Sequence, residues 1–190
     1  MRINDVVYFS PDLRIVDVDF NDRPRILNAI QSRIEEYYLA PARMLNANNM
    51  AFAAGVMLLS AIDAIAYYSI PRNKSNSRIE ALISQLDGVG RFPNPQSISS
   101  KICLNFRNGL IHEGRVKNGC QFAYNYPELL WQEHDFLILN PALLFQSISE
   151  YFEGFMNVLR RDLASYEQFS ERLQRQFLNE VEQLKMAYPD

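Results

Sequence analysis

The chain has 190 residues, 48% of them apolar and 22% charged, with a formal net charge of −3. That length supports one domain with a sizeable core and no need of disulfide or metal staples. The acid excess argues against a protein that coats nucleic acid without sequence preference, although a ribonuclease needs only a local basic cleft. The two cysteines, Cys103 and Cys120, lack CxxC spacing and form no disulfide framework. With only two histidines beside them, no zinc ligand set is expected, and no cofactor fingerprint or glycine-rich phosphate loop stands anywhere.

The opening residues, Met1-Arg2-Ile3-Asn4-Asp5, do not read as a signal peptide. The uncharged stretch 44–62 starts with Asn46, Asn48 and Asn49 and runs into Asp63, so its apolar part falls short of the roughly 20 residues a bilayer needs. A buried helix, a cytoplasmic location and no membrane partner are expected.

Residues 6–20 read as extended, with a turn at Ser10-Pro11-Asp12. A helix is expected from 25 to 44, with Pro24 in its first turn and a break or kink near Pro41. A second, apolar on most sides, spans 49–69 and stops before Pro71. A third covers 77–86 and closes at Asp87-Gly88. Ser97 is placed to cap a fourth, which buries Ile102, Phe106 and Leu110 and stops at Gly114. Lys117-Asn118-Gly119 is a turn signal, so 121–124 and 135–139 are expected to pair as strands. Asn140-Pro141 opens the longest helical pattern, weakest at Ala164-Ser165. The whole reads as an all-α bundle of about four to six helices with short β-hairpin elements. It is expected to form one domain over 1–190, with a core at 25–163 and a C-terminal helical extension at 164–190.

The chemistry concentrates in Arg107-Asn108-Gly109-Leu110-Ile111-His112-Glu113-Gly114-Arg115, near the end of the fourth helix. Histidine moves protons near neutral pH, and arginine holds phosphate through a planar fork of donors. Residues five apart on a helix differ by roughly 140° around its axis, so Arg107 and His112 do not share a face, whereas Asn108, His112 and Arg115 do. Either the long arginine stem wraps round the helix, or a second copy supplies the partner group across a dimer axis.

The segment from Arg107 to His112 resembles the signature of HEPN domains, an arginine followed by a polar residue and, a few positions on, a histidine. The apolar helix carrying Ala61-Ile62-Asp63-Ala64, the short amphipathic helix after it and the long closing helix are similar too, over residues 25–163. The resemblance implies a helical bundle, usually dimeric, and in many members a metal-independent endoribonuclease. It implies His112 as general base or acid, Arg107 stabilising charge on the phosphorus oxygens, and Asn108 orienting His112 or the phosphate. Arg115 would contact substrate RNA, and Asp63 would orient Arg107 or His112. A toxin–antitoxin or phage-defence role, with an antitoxin or other partner protein, is implied by analogy alone.

Blander readings stand beside these. His112 can be a surface histidine favoured by the helix dipole, and Arg107 a structural ion pair with Asp63 or Glu113. Asp63 is the one charge in an apolar helix and must find a partner there. His134 has no recognisable partner set. The cluster of Arg72, Asn73, Lys74 and Arg78 reads mainly as a solvated loop, and Tyr67, Tyr68, Phe122, Tyr124 and Tyr126 as core. The alternative function is a non-catalytic helical dimerisation or interaction module.

Overall fold

Apolar side chains recur at helical spacing along most of the chain, and helix therefore dominates. The computed structural model describes residues 2–3, 6–72, 74–134 and 136–187. The expectations for Asn4, Asp5, Asn73 and Asp135 lie outside the described residues. In chain order the elements begin with β1 (Arg2–Ile3), β2 (Val6–Ser10), β3 (Leu13–Arg14) and α1 (Arg23–Ile34). Helices α2 (Ala40–Ala47), α3 (Ala51–Ser69), α4 (Ser75–Ile83), α5 (Asp87–Gly90), α6 (Pro95–Ile102) and α7 (Asn108–Glu113) follow. Strands β4 (Gln121–Phe122), β5 (Leu130–Glu133) and β6 (Phe136–Leu139) precede α8 (Pro141–Arg161) and α9 (Leu163–Ala187). Two π-helical turns, Glu35–Leu39 and Cys103–Arg107, join α1 to α2 and α6 to α7 without a gap. The described residues thus form seven helical runs, against the four to six expected, because α5 is separate and α8 and α9 divide.

The chain folds as two compact units, one of Met1–Tyr37 with Glu153–Asp190 and one of Tyr38–Phe152.

In the first unit, β1, β2 and β3 form an antiparallel sheet that turns at Pro11-Asp12. Strand does not continue to residue 20. Asp17 takes the Arg14 guanidinium in two hydrogen bonds, at 2.6 and 2.9 Å, and the chain curls into a 3-10 turn over Ile15–Asp17. Asp22 caps α1 by accepting the Arg25 N–H at 3.1 Å. The Arg33 guanidinium lies over the rings of Phe9, Tyr37 and Phe177, 5.5–5.7 Å from their centroids. Arg23 donates to the Leu159 carbonyl at 2.8 Å and Lys185 to that of Val18 at 2.8 Å, satisfying chain ends that the helices leave open. The division between α8 and α9 falls at Asp162, two residues before the expected point. Its carboxylate accepts the Ser165 N–H at 2.8 Å and so caps α9.

Pro41 does not break the helix. It lacks the N–H that an α-helix would need, and the wider turn at Glu35–Leu39 precedes it, so helix continues into α2.

The second unit is built around α3, whose Leu58, Leu59, Ile62 and Ile65 are at most 1% exposed. By length and composition α3 could cross a membrane, with mean hydropathy 1.6, but half of that stretch is buried inside the protein. Gly55 of α3 leaves room for the Phe122 ring, which packs edge-on against Phe106 at 5.0 Å. The expected pairing of 121–124 with 135–139 occurs over two residues, and those strands run parallel: Gln121 faces Ile138 and Phe122 faces Leu139. The true hairpin is β5 with β6, turning at His134, whose φ is +54°. Asn140 closes the sheet onto α8. Its amide donates to the carbonyl of Tyr126 at 2.8 Å, and its side-chain oxygen accepts the Ala142 N–H at 3.0 Å. Asp87-Gly88 opens α5 instead of closing α4.

Candidate functional site

The helix that carries the motif starts at Pro95. Its cap is Asn94, which accepts the Ser97 N–H at 3.1 Å, and not Ser97 as expected. Pro95 suits the first position because no N–H is needed there. At Cys103–Arg107 the helix widens into a π turn, a feature that recurs at functional sites. It resumes as α7 and ends at Gly114, whose left-handed φ of +65° is the conformation glycine tolerates best.

Arg107 closes the π turn and points at α3. Its Nη2 donates to Asp63 Oδ2 at 2.6 Å and its Nη1 to Asn108 Oδ1 at 3.0 Å. The Arg107 side chain is 14% exposed and that of Asp63 31%. The Ser75 hydroxyl donates to the other Asp63 oxygen at 3.3 Å, so α4 also holds the carboxylate. The expected partner of Asp63 is therefore Arg107. The Arg107 Nε is buried with no hydrogen-bond partner among the described residues. Beside this group lies the buried thiol of Cys103. Burial pushes it up to about 11, and the nearby Glu80 carboxylate adds to the effect.

His112 stands exposed in the last turn of α7. No hydrogen bond or ion pair joins it to Arg107 among the described residues, as the angle between them on one helix anticipates. Asn108 turns its oxygen to Arg107.

Beyond Gly114 the chain folds back on the helix. The Arg115 N–H donates to the Gly109 carbonyl at 3.2 Å and the Lys117 N–H to that of Asn105 at 2.9 Å. Asn118 donates to the Asn105 side-chain oxygen at 2.9 Å, and Asn105 in turn to the Cys120 sulfur at 3.5 Å. Gly109 makes the approach possible: a Cβ there would sit 2.4 Å from the Arg115 carbonyl oxygen. The fold-back gathers Arg115 and Lys117 around Glu113. Arg115 Nη2 lies 2.9 Å from Glu113 Oε2, and Lys117 Nζ pairs with Oε1. The ammonium of Lys117, then the guanidinium of Arg115, hold the Glu113 carboxyl below its usual range.

Sequence reading missed Lys117, Asn105 and Ser75. The four-residue spacing of Glu113 and Lys117 was a usable signal for the first; nothing local in the sequence marks the other two.

The remaining candidates are tied into structure. Arg72 bonds the Ser77 carbonyl at 3.3 Å, and Arg78 lies over the Tyr67 ring at 5.0 Å. Tyr124 donates to Asn46 at 2.9 Å, and the Tyr126 ring packs at a tilt against Trp131, with centroids 5.8 Å apart. Among the described residues no group of three or more His, Cys, Asp or Glu is placed to hold a metal ion. No family model, no curated protein and no solved structure matches the chain.

Proposed function

We propose that the chain is a HEPN-type, metal-independent endoribonuclease, acting as a cytoplasmic homodimer in a toxin or defence role. The observation that carries this reading is the Arg107 guanidinium, oriented by Asp63 and Asn108, five positions before an exposed histidine on the same helix. A guanidinium has five N–H donors, and two are engaged here. A preset cation with donors to spare suits charge that builds on phosphate oxygens.

In the proposed reaction the RNA 2′-oxygen attacks the adjacent phosphorus. The bond from phosphorus to the 5′-oxygen breaks, and a 2′,3′-cyclic phosphate forms. His112 takes the 2′-hydroxyl proton or delivers one to the departing 5′-oxygen. Arg107 turns to Asp63 of α3 instead of wrapping round its own helix towards His112, so a second copy supplies the complementary group. Leu104 and Ile111, 54% and 47% exposed on this helix, supply apolar surface for that contact. The test is cleavage of mixed RNA by pure protein in excess chelator, beside His112→Ala.

The same ion pair favours a second reading. An arginine only 14% exposed and already paired can be a structural link between α3 and the motif helix of a non-catalytic interaction module. A dimer that cleaves no RNA would select it.

A further inference from the structure

The turn 114–119 carries more positive charge than its own contacts use. Glu113 supplies one carboxylate, and both Arg115 and Lys117 are drawn to it, which leaves one positive charge over in a chain of net charge −3. The arrangement is built. Lys117 is anchored through its N–H to the carbonyl of Asn105, a residue only 9% exposed that also holds Asn118. Gly109 admits the turn at a distance no side chain would allow. Both cations keep access to solvent, Lys117 at 27% and Arg115 at 64% side-chain exposure. They follow His112 by three and five positions and lie just beyond the end of the helix where its exposed imidazole stands.

We infer that this turn is a second phosphate site, in which Arg115 and Lys117, assembled by Glu113, hold a single-stranded RNA backbone phosphate next to the scissile one. The inference rests on the proposed function for the identity of the ligand. Glu113 occupies the site in the free protein, bridging the two cations as a phosphate would. An incoming phosphate competes with it: two anionic oxygens replace the two carboxylate oxygens, and the guanidinium fork can take them side by side.

The experiment measures binding apart from cleavage. His112→Ala protein is titrated into labelled single-stranded RNA of mixed sequence, over a range of salt, alone and with Lys117→Gln, Arg115→Gln, both together, or Glu113→Gln. Each cation removed is expected to weaken binding about three- to tenfold at low salt, and the double change to flatten the slope of log affinity against log salt by about 0.7. Glu113→Gln is expected to tighten binding several-fold, a gain that misfolding cannot imitate. Unchanged affinity and slope in the double variant would overturn the inference. So would weaker or equal binding by Glu113→Gln, or no binding of RNA at all. Cleavage by the wild-type protein in chelator is scored separately. If it is absent while the binding pattern holds, the nuclease reading falls and the phosphate site stands. If it is present and indifferent to Arg115 and Lys117, the reverse applies.

Discussion

Asp63 and Arg107 stand 44 positions apart and meet at 2.6 Å, tying the most apolar helix of the second unit to the one that carries the motif. The pair is largely shielded, so each partner depends on the other more than in a surface ion pair. Asp63→Ala is expected to lower stability by about 2 kcal/mol, because it strands a guanidinium whose Nε already has no partner among the described residues. Adding Arg107→Ala should then cost far less than the two single losses together. Urea denaturation of the four proteins reads the cycle, and strict additivity would show that the pair contributes nothing as a pair.

On the proposed nuclease reading, catalysis would separate the motif residues. RNA cleavage should persist in chelator and vanish in His112→Ala. Arg107→Ala should slow it by about 100- to 1,000-fold, the scale seen when a donor to developing charge is removed. Arg115→Ala should act mainly on binding. Magnesium dependence, or activity surviving in His112→Ala, would defeat the mechanism.

Gly109→Ala puts a methyl group 2.4 Å from a backbone oxygen, where no rotamer can relieve it. It should destabilise the protein by about 1–3 kcal/mol and loosen the turn 114–119. Faster amide exchange at Lys117, whose N–H bonds Asn105, is the signature to look for; unchanged exchange would mean that the turn moves away intact.

Cys103 gives a pH dependence of known sign. Its thiol rises from an ordinary 9.0 to about 11 on folding, so folding favours the protonated form. The stability tied to that preference is complete below pH 9 and is lost as pH climbs towards 11. Wild-type protein should therefore lose stability across that window faster than Cys103→Ala. Parallel alkaline melts of the two decide the matter, and equal slopes would contradict it.

Asn94→Ala should cost about 1 kcal/mol, the usual value of a lost cap, because its side chain satisfies the Ser97 N–H at the start of the motif helix. Ser97→Ala should cost much less. Thermal melts that rank the two in the opposite order would return the cap to Ser97.

Helix content and the stop at Gly114 were legible because periodicity and a left-handed glycine are local signals. Asp63 was legible as a residue in need of a partner, since a lone carboxylate in an apolar helix has few ways to persist. The parallel pairing of Phe122 with Leu139 was not, because register depends on contacts between segments rather than on turn residues. Neither was the anchoring of Lys117 by Asn105, which is a backbone contact indifferent to the lysine side chain. The π turn at Cys103–Arg107 also escaped, as its composition is that of any amphipathic helix.

That turn bears on how the motif can be altered. A π turn holds one residue more than the α-helical turn it replaces. Deleting a single residue between Cys103 and Phe106 would restore regular helix while leaving every letter from Arg107 to His112 in place. Because the wider turn already absorbs the extra residue, the motif would keep roughly its direction about the helix axis, and Arg107 its reach to Asp63. Two chains can thus differ by one in the count of residues back to Asn94 and still aim the same six residues alike.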